Sequence, residues 1–278
     1  MWLSWKISTA TAVVLGVLAL IAHRRPSWPD WVRPLTKEGS LLFLIYSVWH
    51  KLGALPLNIG GDAIVRGRDV WNAERWLHLP NEVTLQHWAL HAIWFVQFLN
   101  VYYIVFHVAP LGIFLAWLYV RHRDRFPYWR NQLAFVSIVG QCIQFIPVAP
   151  PRFFPQLGFI DTAAVYGPTV YRSAGAADPG QLAAMPSMHV AWAMVVGIGA
   201  VTASRSRWRW IGALHALFTV LAVTLTGYHW LLDGIVATGL LLVGMGAGAL
   251  WNWAQAARRR TVASGATAAS RSLGQPSV

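Results

Sequence analysis

Apolar residues fall in runs about twenty long, separated by short polar and basic connections. Roughly twenty helical residues cross a bilayer's hydrocarbon core, so the pattern predicts a bundle of membrane-spanning helices. Seven spans follow, over residues 3–22, 39–57, 100–120, 132–148, 186–203, 210–226 and 231–253. The first carries a single charge, Lys6, and is closed by His23-Arg24-Arg25. A secretory signal would put its positive residues before the apolar run and end on small residues, so 3–22 is read as a span.

The connections add detail. Residues 27–37, with prolines and tryptophans together, read as an interfacial linker. His50-Lys51 interrupts the second span, and Pro110 is expected to kink the third. Residues 59–82 are polar enough to lie outside the hydrocarbon, and 82–92 form an amphipathic, interfacial stretch. Residues 149–185 make a long polar loop, and the Ser-, Ala- and Gly-rich tail after 258–260 is expected to be disordered. The chain therefore divides into an N-terminal span with its linker (1–37), a membrane domain (38–255) and a basic tail (256–278).

Basic residues test the alternation of these spans. Arg24, Arg25, Arg33 and Lys37 share one side with Arg121, Arg123, Arg125 and Arg130. Arg205, Arg207, Arg209 and residues 258–260 fall there as well. The positive-inside rule makes that side cytoplasmic. Both long loops, with His189 and His229, then face outward, at a plasma membrane of bacterial type.

Composition agrees with an integral membrane protein. Of 278 residues, 56% are hydrophobic and only 12% charged, with 17 tryptophans. A net charge of +12 could suggest nucleic acid, but the charges lie in short runs between spans, which excludes that partner. One cysteine, Cys142, leaves no intramolecular disulfide.

Two polar stretches interrupt the apolar pattern. Ala184-Met185-Pro186-Ser187-Met188-His189 opens the fifth span. Proline suits a helix's first turn, and the N–H groups beyond it, with the helix dipole, favour an anion. Ser187 adds a hydroxyl donor there, and His189 a proton. Alone, the stretch is equally a capped helix with a histidine at its mouth. The second stretch, Gly227-Tyr228-His229-Trp230-Leu231-Leu232-Asp233, changes the balance. If the helix begins by His229, that residue and Asp233 stand at i, i+4, where a carboxylate fixes the imidazole tautomer. The pair suits a nucleophile with its orienting acid, and His189 suits a general acid. A structural polar pair is the plainer alternative.

Arg152 follows Pro147-Val148-Ala149-Pro150-Pro151, so it is rigidly presented and able to grip phosphate. The plainer reading is a lipid-headgroup anchor. Axial ligation of a haem or metal by His189 and His229 leaves Asp233, Arg152 and the Pro-Ser start unexplained. On their own, Tyr102, Tyr103 and His107 read as helix packing, and His50, His91 and His215 as structural.

Together these residues resemble a known family. Pro186-Ser187-Met188-His189 and His229-x-x-x-Asp233 are similar to the second and third signatures of the type 2 phosphatidic acid phosphatase (PAP2) superfamily. Residues 147–152 and Asn100-x-Tyr102-Tyr103-x-x-x-His107 resemble its inositolphosphotransferase and inositol phosphorylceramide synthase branch. The resemblance covers about residues 38–253. It implies an all-α six-helix membrane core, to which residues 3–22 add a span.

The resemblance also implies a mechanism. His229 attacks phosphorus, Asp233 orients it and His189 protonates the leaving alcohol, with no metal and no cofactor. Arg152, Ser187 and Arg172 would bind phosphate; Tyr102, Tyr103 and His107 would touch substrate. Two departures matter. Residues 141–151 contain no lysine, and Ala222-Val223 stand where the common third motif has Ser-Arg. Arg152 and Arg172 must compensate, which favours the transferase-like branch over an ordinary phosphatidic acid phosphatase. The substrate is then a lipid phosphate ester, and the acceptor water or an alcohol such as inositol. The rival is a lipid-binding or transport protein that uses the same pocket without turnover.

Overall fold

Ser4, Asn81, Asp161 and Ser187 each accept a hydrogen bond from an N–H in the first turn of the helix that follows. Short polar residues do this because their side-chain oxygens satisfy donors that the helix leaves unpaired. They open α1 (Trp5–Arg24), α4 (Glu82–Leu90), α8 (Thr162–Tyr166) and α9 (Met188–Ala203). The remaining helices are α2 (Val32–Gly53), α3 (Ala63–Trp76), α5 (Ile93–Val105), α6 (Ala109–Arg121), α7 (Phe126–Ile143), α10 (Arg209–Leu225) and α11 (Leu231–Leu273). The computed structural model describes residues 3–25, 27–53, 62–167 and 179–273. Among them no strand forms, and the one β-bridge joins Val148 to Ala183.

Two compact units divide the chain, Met1–Leu241 and Leu242–Val278, the second containing the remainder of α11. In the first unit α1 packs on α2, α2 on α7, α7 on α9 and α9 on α10, with α6 also against α9. The apolar residues Val13, Val14 and Val17 of α1 and Ile211, Leu214 and Leu217 of α10 are exposed, as a lipid-facing surface would be. Arg130 of α7 and Glu38 of α2 form an ion pair.

The helices depart from the expected spans in instructive ways. By length and composition α1 and Leu231–Ala257 of α11 can each cross a membrane, whereas α6, α9 and α10 are apolar but shorter. Residues 100–120 are not one kinked span. α5 begins at Ile93 and the chain breaks at 106–108 before α6. Pro110 explains the break, since its ring clashes with the carbonyl four residues back, that of Phe106. α4 meets α5 at a bend of 116°, and we read α4 as lying along the interface.

α2 begins at Val32, inside the stretch expected to be a linker. Pro34 falls in its first turn, where a missing N–H costs nothing; residues 54–57 of the expected span lie outside the described residues. The tail expected to be disordered continues α11 as helix to Leu273. Seven alanines from 254 to 269 give it helix propensity.

Candidate active site

The segment 147–152 is tied on several sides before any catalytic side chain is considered. Val148 N–H donates to Leu182 O (2.7 Å) and Ala184 N–H to Val148 O (3.1 Å). Ala149 N–H donates to Ala63 O (3.0 Å), and Arg152 N–H to Gly227 O (3.0 Å). Gly227 turns the chain there with φ 75°, a conformation that favours glycine. Beneath these strands of chain Trp230 is fully buried, packed among Phe154, Phe159 and Val148. Its indole N–H donates to Ala149 O (2.9 Å). Gln144, at the end of α7, reaches Pro186 O (2.9 Å) and Ala183 O (3.2 Å).

Ser187, not Pro186, starts α9. Its hydroxyl oxygen accepts the Val190 N–H (3.3 Å), so the proline stands one residue ahead of the cap instead of in the first turn. Ser187 is fully buried, and its own N–H donates to the Asp233 carbonyl (3.2 Å). The two signature stretches are thus joined directly through backbone. One lone pair of Ser187 is used as a cap, which leaves its O–H free to point elsewhere.

His229 and Asp233 meet, though by different local geometry than i, i+4 on one helix. α11 begins at Leu231, so His229 precedes it. Asp233 folds back as the third helical residue and accepts the Trp230 N–H (2.9 Å), half of a capping box. The same oxygen lies 3.3 Å from His229 Nδ1. The nearer partner of Nδ1 is the Ala184 carbonyl, at 2.8 Å. A carbonyl can only accept, so Nδ1 carries a hydrogen, and in the neutral ring that leaves the lone pair on Nε2. Ala184 was invisible as an orienter in the sequence, because a backbone carbonyl leaves no residue signature.

His189 is clamped between rings. Tyr103 stacks on it at 4.1 Å and His107 at 3.8 Å, centroid to centroid. Tyr103 also stacks on Tyr228 (4.1 Å, 3° between planes), and His107 on Trp192 (4.6 Å, 6°). The His189 and His229 rings are 5.6 Å apart.

Arg152 is 8% exposed, and its guanidinium sits over Tyr228 at 4.7 Å and Phe153 at 5.1 Å. Its Nε is 3.9 Å from Asp161, the residue that caps α8. Arg152, Tyr228, Tyr103, His189 and His107 therefore form one continuous stack beside His229.

Tyr102 is not brought into this cluster. Its hydroxyl bonds His215 Nδ1 (2.6 Å) and the His215 carbonyl (3.2 Å) on α10. Neighbouring helix positions point about 100° apart, so Tyr102 and Tyr103 cannot both reach His189. Arg172 lies outside the described residues. Among the described residues no three His, Cys, Asp or Glu side chains gather as a metal site would require.

Two acids were missed in the sequence. Glu74 of α3 and Glu82 of α4 are both fully buried. Glu82 accepts the Leu231 N–H (2.6 Å) and Glu74 the Leu232 N–H (2.7 Å), at the very start of α11. Nothing local to 74 or 82 announces a partner some 150 positions away.

A family model described as the PAP2 superfamily matches residues 68–247. The phosphoinositol dihydroceramide synthase of Bacteroides thetaiotaomicron is 24% identical over 180 residues, 58% of this chain and 56% of that protein. The chain thus spans about half the length of that relative. No solved structure matches significantly.

Proposed function

The chain belongs to the PAP2 superfamily of membrane lipid phosphatases and phosphotransferases, and on that premise we propose that it transfers a phosphoryl or phosphoalcohol group through His229. The observation that carries this reading is the fixed tautomer. Ala184 O and Asp233 hold Nδ1–H, so Nε2 is the attacking nitrogen. It adds to the phosphorus of a lipid phosphate ester, and the P–O bond to the leaving alcohol breaks. His189 gives that oxygen its proton. An acceptor hydroxyl then attacks the phosphohistidine, gives its proton to His189 and returns the P–N electron pair to Nε2.

The surroundings supply what such a step needs. At 5.6 Å from His229, His189 is near enough for both to serve one phosphorus. Arg152 offers a fixed guanidinium for the phosphate charge, helped by Ser187 and by Arg172. Tyr103 and His107 hold His189 and border the space a substrate would enter. No residue here calls for a metal. The catalytic domain is residues 38–255, α1 is an added span, and the site faces away from the cytoplasm in a bacterial plasma membrane.

An alcohol acceptor is favoured over water. The lysine and arginine of the common signatures are absent at 141–151 and 222–223, and the relative is a synthase by name. Inositol-bearing lipids are the first substrates to try. The intact His–Asp pair disfavours a lipid carrier without turnover.

The test uses the purified full chain with phospholipids and prenyl phosphates labelled at phosphorus, with and without free inositol. Turnover accompanied by an acid-labile adduct on His229 is expected. Turnover without any histidine adduct would overturn the mechanism, and the absence of both adduct and turnover on every donor would favour the carrier.

A further inference from the structure

Three carboxyl side chains converge on the first turn of α11. Asp233 takes the Trp230 N–H, Glu82 that of Leu231 and Glu74 that of Leu232. A free helix end attracts negative charge, but three full charges packed into one buried turn would repel strongly. Something must relieve the crowding.

The second oxygens of the glutamates show how. Each Oε1 accepts a backbone N–H, whereas each Oε2 is buried with no N–H or hydroxyl donor. The two carboxyls take the N–H groups of adjacent residues, 2.6 and 2.7 Å away, and so stand side by side at one helix end. Two ionised carboxylates carry no hydrogen to place between them. We propose that Glu74 and Glu82 share a single proton, and that this acid pair is a positioning device that fixes the start of α11 and so the His229–Asp233 geometry. The inference rests on the reading of His229 as the phosphate-transferring residue.

The surroundings agree with a held proton. Burial first, then contact with Glu74, pushes the Glu82 carboxyl up to about 10. Glu74 is also raised, chiefly by burial. Of the charged groups facing the pair, Asp233 of α11 raises both acids and Arg75 of α3 lowers Glu74. The pair acts through Leu231 and Leu232, on the C-terminal side of His229 and Trp230. It touches no substrate, so it positions without taking part in the reaction.

Amide substitutions separate this from ordinary packing. Glu74→Gln or Glu82→Gln keeps one acceptor for each backbone N–H, and the amide supplies the donor that the proton supplied. The double variant E74Q/E82Q sets two NH₂ groups against each other with no acceptor between them. Orthovanadate, a phosphoryl-transfer mimic, is the probe, titrated calorimetrically into the detergent-solubilised full chain. The single amides should bind it within about threefold of the wild type, and the double variant roughly 10²-fold more weakly, the loss that a misplacement near 1 Å brings. A folded double variant that binds as tightly as the wild type overturns the positioning role.

Melting against pH tests the proton itself. Between pH 5 and 9 the native fold would hold one proton more than the unfolded chain, so its stability falls as pH rises. The loss approaches tenfold in the folding constant per pH unit. Glu82→Gln removes that demand, so the two melting curves should diverge with pH; parallel curves overturn the shared proton. Failure of the wild type to bind vanadate would instead sink the phosphohistidine reading, and the melting comparison would still judge the pair.

Discussion

The rings of His189 and His229 lie 5.6 Å apart and are tilted by 53°, yet they are held by entirely different means. His229 is fixed by hydrogen bonds at Nδ1. His189 is fixed by ring stacking on both faces. Stacking leaves an imidazole's edge nitrogens free to exchange protons, which suits an acid more than a nucleophile.

Replacing His229 with alanine should abolish the phosphoenzyme. Replacing His189 should slow expulsion of a poor alkoxide by about 10²–10⁴-fold, and much less with p-nitrophenyl phosphate. Asp233→Asn should cost roughly 10–10²-fold, short of the ~10⁴ seen when a triad loses its tautomer. Here the Ala184 carbonyl keeps the tautomer by itself, and only the charge is lost. Adduct trapping and steady-state rates of the three variants decide. An adduct formed by His229→Ala but not by His189→Ala reverses the assignment.

The sidedness can be read with thiol labelling in a Cys142→Ala background. Gln156, beside the Arg152 segment, Arg125 and Arg207 are all exposed. Cysteines at 125 and 207 should react only from the cytoplasm, and one at 156 only from outside. Labelling of 156 and 207 from the same side would leave no room for an outward-facing site.

Chelation should leave turnover intact. Asp233 Oδ2 is taken by Trp230 N–H and His229 Nδ1, and Mg²⁺ seeks several oxygen ligands. Activity that vanishes in EDTA and returns with Mg²⁺ would refute the mechanism.

Gly67→Ala should damage the site from a distance. A Cβ at 67 would come within 2.6 Å of Ala149 O and 2.7 Å of the Phe154 ring. Ala149 is bonded on both its N–H and its carbonyl, so relief requires moving the segment that carries Arg152. We expect a loss of about 1–3 kcal/mol, as overpacking brings, and a fall in phosphate affinity larger than in melting temperature. Calorimetry on the variant measures both; unchanged vanadate binding would mean the segment yields without moving Arg152.

Much of this was legible in the chain. Apolar run lengths placed α1, α7, α9, α10 and the start of α11, and the spacing of His229 and Asp233 marked a pair, because both are local properties. Less legible was anything that rests on backbone. Ala184 orients His229 through its carbonyl, and the capping start of α11 at Leu231 depends on Asp233 folding back. Glu74 lay in a stretch read only as polar, and Glu82 at the start of an interfacial one; only tertiary packing sets them against a helix end. Tyr102 and Tyr103 stand side by side in sequence, and helix rotation sends one to His215 and the other to His189.

The bonding of residues 147–152 bears on how such enzymes can be recombined. Four backbone hydrogen bonds, at Val148, Ala149 and Arg152, tie the segment to Leu182, Ala184, Ala63 and Gly227, in three distant parts of the chain. Each added residue lengthens an extended chain by roughly 3.3–3.6 Å, more than any of these contacts can absorb. A chimera that exchanges this segment must therefore carry its docking partners along with it, or the graft will have nowhere to seat.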